Sequence, residues 1–375
     1  MTDQIQGIVA KLPDLANVTG VWAVADDRLA QGDAAFAADL GIALAEAYGD
    51  NAGQMWQYRS VYNHLLRLLA TTAGQQNITQ ALRLVSSVRA DGKKLDRYTA
   101  SLLAASHPVD DLAVAFTGEA VEELRACLVH ELVLRGIVVT ETPGIAEWAT
   151  SPHWRYHPLG WLPLTLADVE DSPDMPSYSI HGGSHPLPHG PAGSRDTTIV
   201  AGTGGPPAQE TTTETTATAM ALAVANWAEE SNGRIEARVF DFAEPLDAGS
   251  VPNALLTLGL ECLNGAGDKT ALSASACAPT RVWQLLYAAA STGGAHNSGV
   301  RGAYGRLAAW QSLAGLSCTP QGASFREVEA RVGECTWHVF DADTQWFRRV
   351  AWDIGVAGVA PDRRRLAVLA ATDTD

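Results

Sequence analysis

The feature that most constrains this 375-residue chain is a helical apolar period that runs through its first third and then stops. Phe36, Leu40, Leu44 and Ala47 recur at three- and four-residue steps, and Val61, Leu65, Leu68 and Leu69 repeat the pattern. That period lays one apolar stripe along each helix, and the stripe must be buried against a neighbour. The spacing predicts helices over Asp33 to Tyr48, Trp56 to Leu69, Asn77 up to the Asp91-Gly92 turn, Leu95 to Ala105 and Glu119 to Arg135. Asn77 is the expected N-cap of the third, and Gly136 the expected terminator of the last. Short connections make such helices antiparallel neighbours, in a bundle or hairpin array. Residues 1–136 are therefore expected to form an all-helical domain.

Residues 137–196 read differently. Ile137 to Thr140 suits a short strand, after which Pro143 to Arg195 has no clear period and holds Trp148, Trp154, Trp161 and half of the ten histidines. Disordered linkers are poor in aromatic residues, so this Trp/His/Pro-rich segment is expected to be an ordered loop.

Residues 197–375 mix the two periods. Thr197 to Ala201 reads as a strand; Ile235, Ala237 and Val239 alternate with Glu236 and Arg238 as in a half-buried one. A threonine-rich run, Thr211 to Thr218, leads into an expected helix through Trp227. Leu255 to Leu263 fits a helix or a buried strand, and Val282 to Ala290, Ala303 to Leu316 and Trp346 to Asp353 read as helices. Ser324 with Glu327 has the spacing of a capping box. Val356 to Val359 and the apolar run Leu366 to Ala371 flank Pro361-Asp362 like the arms of a hairpin. The expected fold class is α+β or α/β mixed: an N-terminal all-helical domain followed by a C-terminal mixed helix and strand domain.

The formal charge is −16, from 42 acidic and 26 basic side chains, with no clustered basic patch. A field of that sign repels phosphate backbones, so nucleic acid is not expected as a partner. No apolar run approaches the ~20 residues that span a bilayer. The first residues lack a basic stretch followed by an apolar one. Cys127, Cys262, Cys277, Cys318 and Cys335 are odd in number and widely spaced, which suits free thiols in a reducing cytoplasm. The expected partner is a protein or a small molecule.

Two constellations carry chemistry. His181, His185 and His189 recur every fourth residue; Gly182, Gly183, Pro186 and Pro188 bar a helix, but a loop wrapping three imidazoles could hold a divalent metal. Downstream, Gly293-Gly294-Ala295-His296-Asn297-Ser298-Gly299 opens the Leu307–Leu316 helix, where converging backbone N–H groups favour an anion. Arg301 and Arg306 offer a bidentate clamp for phosphate or carboxylate, with His296 and Asn297 beside them. Gly202-Thr203-Gly204-Gly205 reads as a turn, and the terminal Asp373 and Asp375 as solvated carboxylates. No Gly-x-Ser-x-Gly nucleophile elbow occurs.

Several phrases together, Ser151-Pro-His-Trp-Arg-Tyr-His-Pro-Leu-Gly160, His181-Gly-Gly-Ser-His-Pro-Leu-Pro188, Glu230-Ser-Asn-Gly-Arg-Ile-Glu-Ala-Arg-Val-Phe240, Gly302-Ala-Tyr-Gly-Arg-Leu-Ala-Ala-Trp310 and the tail from Leu366, resemble a family of uncharacterised actinobacterial proteins. The resemblance covers about the last two thirds of the chain, implies a complete member of a domain of unknown function, and carries over no catalytic residue. Two function classes follow: a binding or interaction protein with an acidic surface, or a small-molecule hydrolase, metal-dependent in one form, with its site where the histidine loop meets the Gly299–Arg306 loop.

Overall fold

The computed structural model describes residues 2–51, 53–87, 92–118, 120–171, 173–185, 207–264, 272–347 and 352–373. The chain divides into two compact units, Met1–Gly160 with Met175–His185, and Trp161–Asp174 with Pro186–Asp375.

The first unit is helical. Its longer helices are Thr2–Lys11, Thr19–Ala30, Ala34–Tyr48, Trp56–Thr71, Gln75–Ser86, Gly92–Ser106 and Glu122–Leu134. The apolar stripes read from the sequence are the buried faces: Phe36, Leu40 and Leu44 on one helix, Val61, Leu65, Leu68 and Leu69 on the next. Asp33 caps the former by accepting from the backbone N–H of Phe36 at 3.2 Å. The predicted cap at Asn77 is displaced. The helix begins at Gln75, and Asn77 lies in its first turn, donating backwards to the carbonyls of Thr72 and Ala73. Glu122–Leu134 is buried all round from Ala126 to Leu134, as a helix at the centre of its unit must be. It ends at Gly136, whose φ of +75° is the left-handed C′ conformation; Gly136 N–H donates to Val133 O at 2.9 Å and Ile137 N–H to Leu132 O at 3.1 Å.

The strand expected at Ile137 to Thr140 is instead a 3₁₀ turn, Val139–Glu141. Among the described residues no strand pairs with it, so its few β-branched residues form no ladder. The segment that follows is ordered by aromatic packing. Phe116 meets Trp148, Trp148 meets Trp154, and Trp154 tilts over His130, with ring centroids 5.8, 5.7 and 5.2 Å apart. His130 Nε2 also hydrogen-bonds Leu159 O at 2.9 Å, which ties the segment to the central helix. A two-stranded hairpin, β1 (Ser177–Ser179) with β2 (Gly182–Ser184), completes the unit. Arg67 Nε donates to Ile180 O in its turn, and the Tyr178 hydroxyl shares a 2.9 Å hydrogen bond with that of Ser101.

The second unit is built on an antiparallel sheet, which makes the fold α+β. Its strands are β3 (Ala208–Glu210), β4 (Arg234–Phe242), β5 (Leu272–Cys277), β6 (Thr336–Ala342), β7 (Trp352–Val359) and β8 (Arg365–Asp373), in spatial order β3-β4-β8-β7-β6-β5. β8 is central and apolar on both faces because both faces are covered. Leu366, Val368 and Ala370 join the core shared with the Val251–Thr257 helix. Ala367, Leu369 and Ala371 alternate to the opposite face, where the helices Pro279–Thr292, Arg301–Leu316 and Glu214–Ala221 pack. The predicted hairpin is β7–β8, in register from Val359 opposite Leu366 to Trp352 opposite Asp373.

Two expectations change here. The helix expected over Trp346 to Asp353 is absent at both described ends: Trp346 and Phe347 are buried core residues outside any helix, and Trp352 and Asp353 belong to β7, while residues 348–351 lie outside the described residues. The pull of ladder hydrogen bonds with β8 outweighs the local helical spacing. The helix predicted through Trp227 is broken into Glu214–Ala221 and Ala225–Glu230. The strand expected at Thr197 to Ala201 and the Gly202–Gly205 turn lie outside the described residues.

Candidate functional site

A groove in the second unit has a volume of about 910 Å³. Sheet alternation places Val239 and Arg365 on the same face of β4 and β8, and they form its floor. One wall is the Glu214–Ala221 helix with Ala219 and Leu222; the other is the C-terminal end of Arg301–Leu316 with Gln311, Ala314 and Gly315. Ser312 Oγ accepts the Ala223 N–H at 2.8 Å, which holds the two walls together. The threonine-rich run supplies the rim, through Thr213, Thr215 and Thr218. Trp161 closes one end, fixed by its indole N–H donating to Ala323 O at 3.2 Å and by an edge contact with Phe325.

Cys318 lines the groove with φ +54°. It is the C′ residue of the Arg301–Leu316 helix: its N–H donates to Gly315 O and the Thr319 N–H to Ala314 O, both at 3.0 Å. This is the same terminal motif that ends at Gly136, here carrying a side chain where glycine is ordinarily favoured. Burial pushes the thiol's pKa up, with Arg365 and Arg331 pulling the other way.

In the Gly293–Arg306 region, polar groups expected to face an anion are occupied by two carboxylates of the chain itself. Asp373, expected to be solvated, is buried; its Oδ2 accepts the Ala295 N–H at 2.6 Å and its Oδ1 accepts the Ser231 hydroxyl at 2.7 Å. Gly294 lies so close that any Cβ there would overlap this carboxylate. Asn297 organises the loop: its Oδ1 accepts from Gly294 N–H, Gly299 N–H and Asn226 Nδ2 at 3.1, 3.2 and 2.8 Å. Arg306 is fully buried and clamps Glu170, with Nε to Oε1 and Nη2 to Oε2 both at 2.6 Å. Glu170 also accepts from Trp310 Nε1 and Ala167 N–H, while Arg306 donates to the carbonyls of Pro163 and Thr165. Every lone pair direction of a buried carboxylate is costly to leave empty, and here four donors fill them. Arg301 is the first residue of its helix at φ +68°, half-buried, and His296 is exposed.

The histidines fall in the first unit. His181 is exposed in the β1–β2 turn, and the His185 ring meets the Tyr178 ring edge-on at 5.6 Å. His189 lies outside the described residues. Among the described residues, no three His, Cys, Asp or Glu side chains gather as a metal would require. The first unit also holds a titratable cluster that the sequence did not signal. Asp96 is nearly buried with its pKa pushed up to about 6, first by burial and then by Glu123, with Arg97 opposing. Near it, the Tyr62 hydroxyl is buried without a hydrogen-bond partner. Arg97 and His157 both bind Glu123, at 3.3 and 3.2 Å.

The profile of a family of unknown function, DUF6183, matches residues 19–375. The chain belongs to that family. The match extends the resemblance seen in the last two thirds back through nearly all of the helical unit. No curated protein matches the chain, and no solved structure does. Family membership therefore brings no activity with it. All five cysteines are free, and no described helix is long and apolar enough to cross a membrane.

Proposed function

We propose that the protein is a binding protein and that its second unit takes a small molecule in the groove between Glu214–Ala221 and Arg301–Leu316. The observation that carries this reading is the groove's lining. At about 910 Å³ it falls within the size range of small-molecule sites, and it joins largely aliphatic walls to a hydroxyl-bearing rim over a floor of Val239 and Arg365. Among the described residues its wall bears no histidine and no pair of carboxylates, and burial pushes the pKa of the Cys318 thiol up. General acid–base or nucleophilic turnover needs such groups within reach of the reacting atoms. A wall of threonine, glutamine and aliphatic side chains instead orients a ligand and excludes water.

The test is a fluorescence titration of the full chain with Nile red, an uncharged apolar dye. Saturable binding is expected, weakened at least about tenfold by Ala314→Trp, which fills the groove from its helical wall. The thermal unfolding midpoint of the variant checks that it is folded. A folded Ala314→Trp protein that binds Nile red as the natural one does overturns the assignment of the site.

A further inference from the structure

We infer that Asp241 is a specificity-determining residue of this groove: by engaging Arg365 at the groove floor, it restricts the site to uncharged ligands. The inference rests on reading the groove as a ligand site and adds the chemical class of what it takes.

Among the described residues that line the groove, only Glu214 and Arg365 carry a formal charge at neutral pH. Each is already compensated. Arg365 projects from the first position of β8, directly opposite Asp241 on β4 in the ladder. Both carboxylate oxygens of Asp241 accept from it, Oδ1 from Nε at 2.6 Å and Oδ2 from Nη2 at 3.0 Å. This is the fork-to-fork geometry in which a guanidinium binds a carboxylate most strongly. The register fixes it, because strand pairing sets the two Cα atoms opposite one another before either side chain chooses a rotamer. Hydrogen bonding from Arg365 also holds the Asp241 carboxyl below the usual carboxylate range, so the pair stays ionised and mutually neutralised at physiological pH. Glu214 is exposed in the first turn of its helix, where the helix dipole offsets a negative charge.

A carboxylate or phosphate entering the groove would meet no unpaired cation among the described residues. The Asp241 carboxylate held against Arg365 offsets the attraction that the guanidinium would otherwise exert on such a ligand. The field of a chain with a formal charge of −16 opposes it further. The threonine hydroxyls and the amides of Gln311 and Gln321 each offer both donors and acceptors. They suit hydroxyl and carbonyl groups at the edge of an otherwise apolar, uncharged molecule.

Two dyes of comparable size separate the outcomes: Nile red, which is uncharged, and anilinonaphthalene sulfonate, which is a permanent anion. The full-length protein is expected to bind Nile red at least about tenfold more tightly than the sulfonate. Asp241→Asn, which frees Arg365, is expected to tighten sulfonate binding about tenfold with little change for Nile red, and added salt should erase the gain. The double change Asp241→Asn with Arg365→Gln should lose it as well. If Nile red binds and the unaltered protein binds the sulfonate equally well, the charge inference fails and the groove assignment stands. The inference also fails if Asp241→Asn brings no gain, or if the gain survives loss of Arg365. If neither dye binds, the groove assignment itself fails and takes this inference with it.

Discussion

Glu170 and Arg306, 136 positions apart in sequence, meet as an ion pair with no solvent exposure on either side chain. Removing one partner leaves the other charge buried and unpaired, which typically costs about 3–5 kcal/mol. Glu170→Gln and Arg306→Met are each expected to lower stability by that order, measured by urea denaturation. The double variant Glu170→Gln with Arg306→Met should cost clearly less than the two single changes added together, because neither orphaned charge then remains. Simple additivity would show that the pair is not the unit of stabilisation.

Gly294 touches the Asp373 carboxylate, and no side-chain carbon fits between them. Gly294→Ala must push the loop away from Asp373 and break the 2.6 Å bond from Ala295 N–H. A loss of about 1–3 kcal/mol is expected, the range for steric or buried polar disruption. A variant as stable as the natural protein would mean that the loop has another arrangement of equal energy.

Cys318 occupies a left-handed position that glycine fills in the equivalent motif at Gly136. A side chain costs roughly 1–2 kcal/mol in that conformation. Cys318→Gly is therefore expected to stabilise the second unit by about 1 kcal/mol once the greater freedom of glycine in the unfolded chain is subtracted. Calorimetry of the unfolding transition checks the sign, and a lower midpoint refutes the strain argument.

Asp96 sets a pH dependence in the first unit. Its carboxyl rises from an ordinary 3.8 to about 6 on folding, so the folded state holds this proton more tightly than the unfolded chain does. Its contribution is most favourable below pH 4. It is lost as pH rises from about 4 through 6, where the unfolded form ionises freely and the buried one cannot. At 1.36 kcal/mol per pKa unit the penalty above pH 6 is about 1–3 kcal/mol. Asp96→Asn should raise stability by that order at pH 7.5 and leave it nearly unchanged at pH 4. An equal gain at both pH values would assign the effect to packing rather than to ionisation.

The elements that were legible in the sequence are those whose pattern reports their own environment. The Ala34–Tyr48 and Trp56–Thr71 helices bury one stripe each, so their period survives in the residue order. β4 alternates, β8 is apolar on both faces, and Ser324 with Glu327 forms the capping box it spells, the Ser324 N–H donating to Glu327 Oε2 at 2.7 Å. β5 was silent because Leu-Ser-Ala-Ser-Ala-Cys carries small residues of weak strand preference, made a strand only by pairing with β6. β7 was misread at its start because Trp346, Val350 and Asp353 have a helix-like spacing.

The residue order by itself determined that this chain has a helical first part, a mixed second part and an excess of negative charge, because period, composition and charge are local sums. Only the tertiary structure decided what the charged and polar groups do. Arg306 could clamp any carboxylate, and the fold supplies Glu170. The glycine loop could receive any anion, and the fold supplies Asp373. The groove draws Trp161, Thr213, Val239, Ala314 and Arg365 from five separate stretches of chain, and no local pattern specifies that convergence. Side-chain chemistry is written one residue at a time, whereas a site exists only where long-range packing has met the entropy cost of bringing distant residues together.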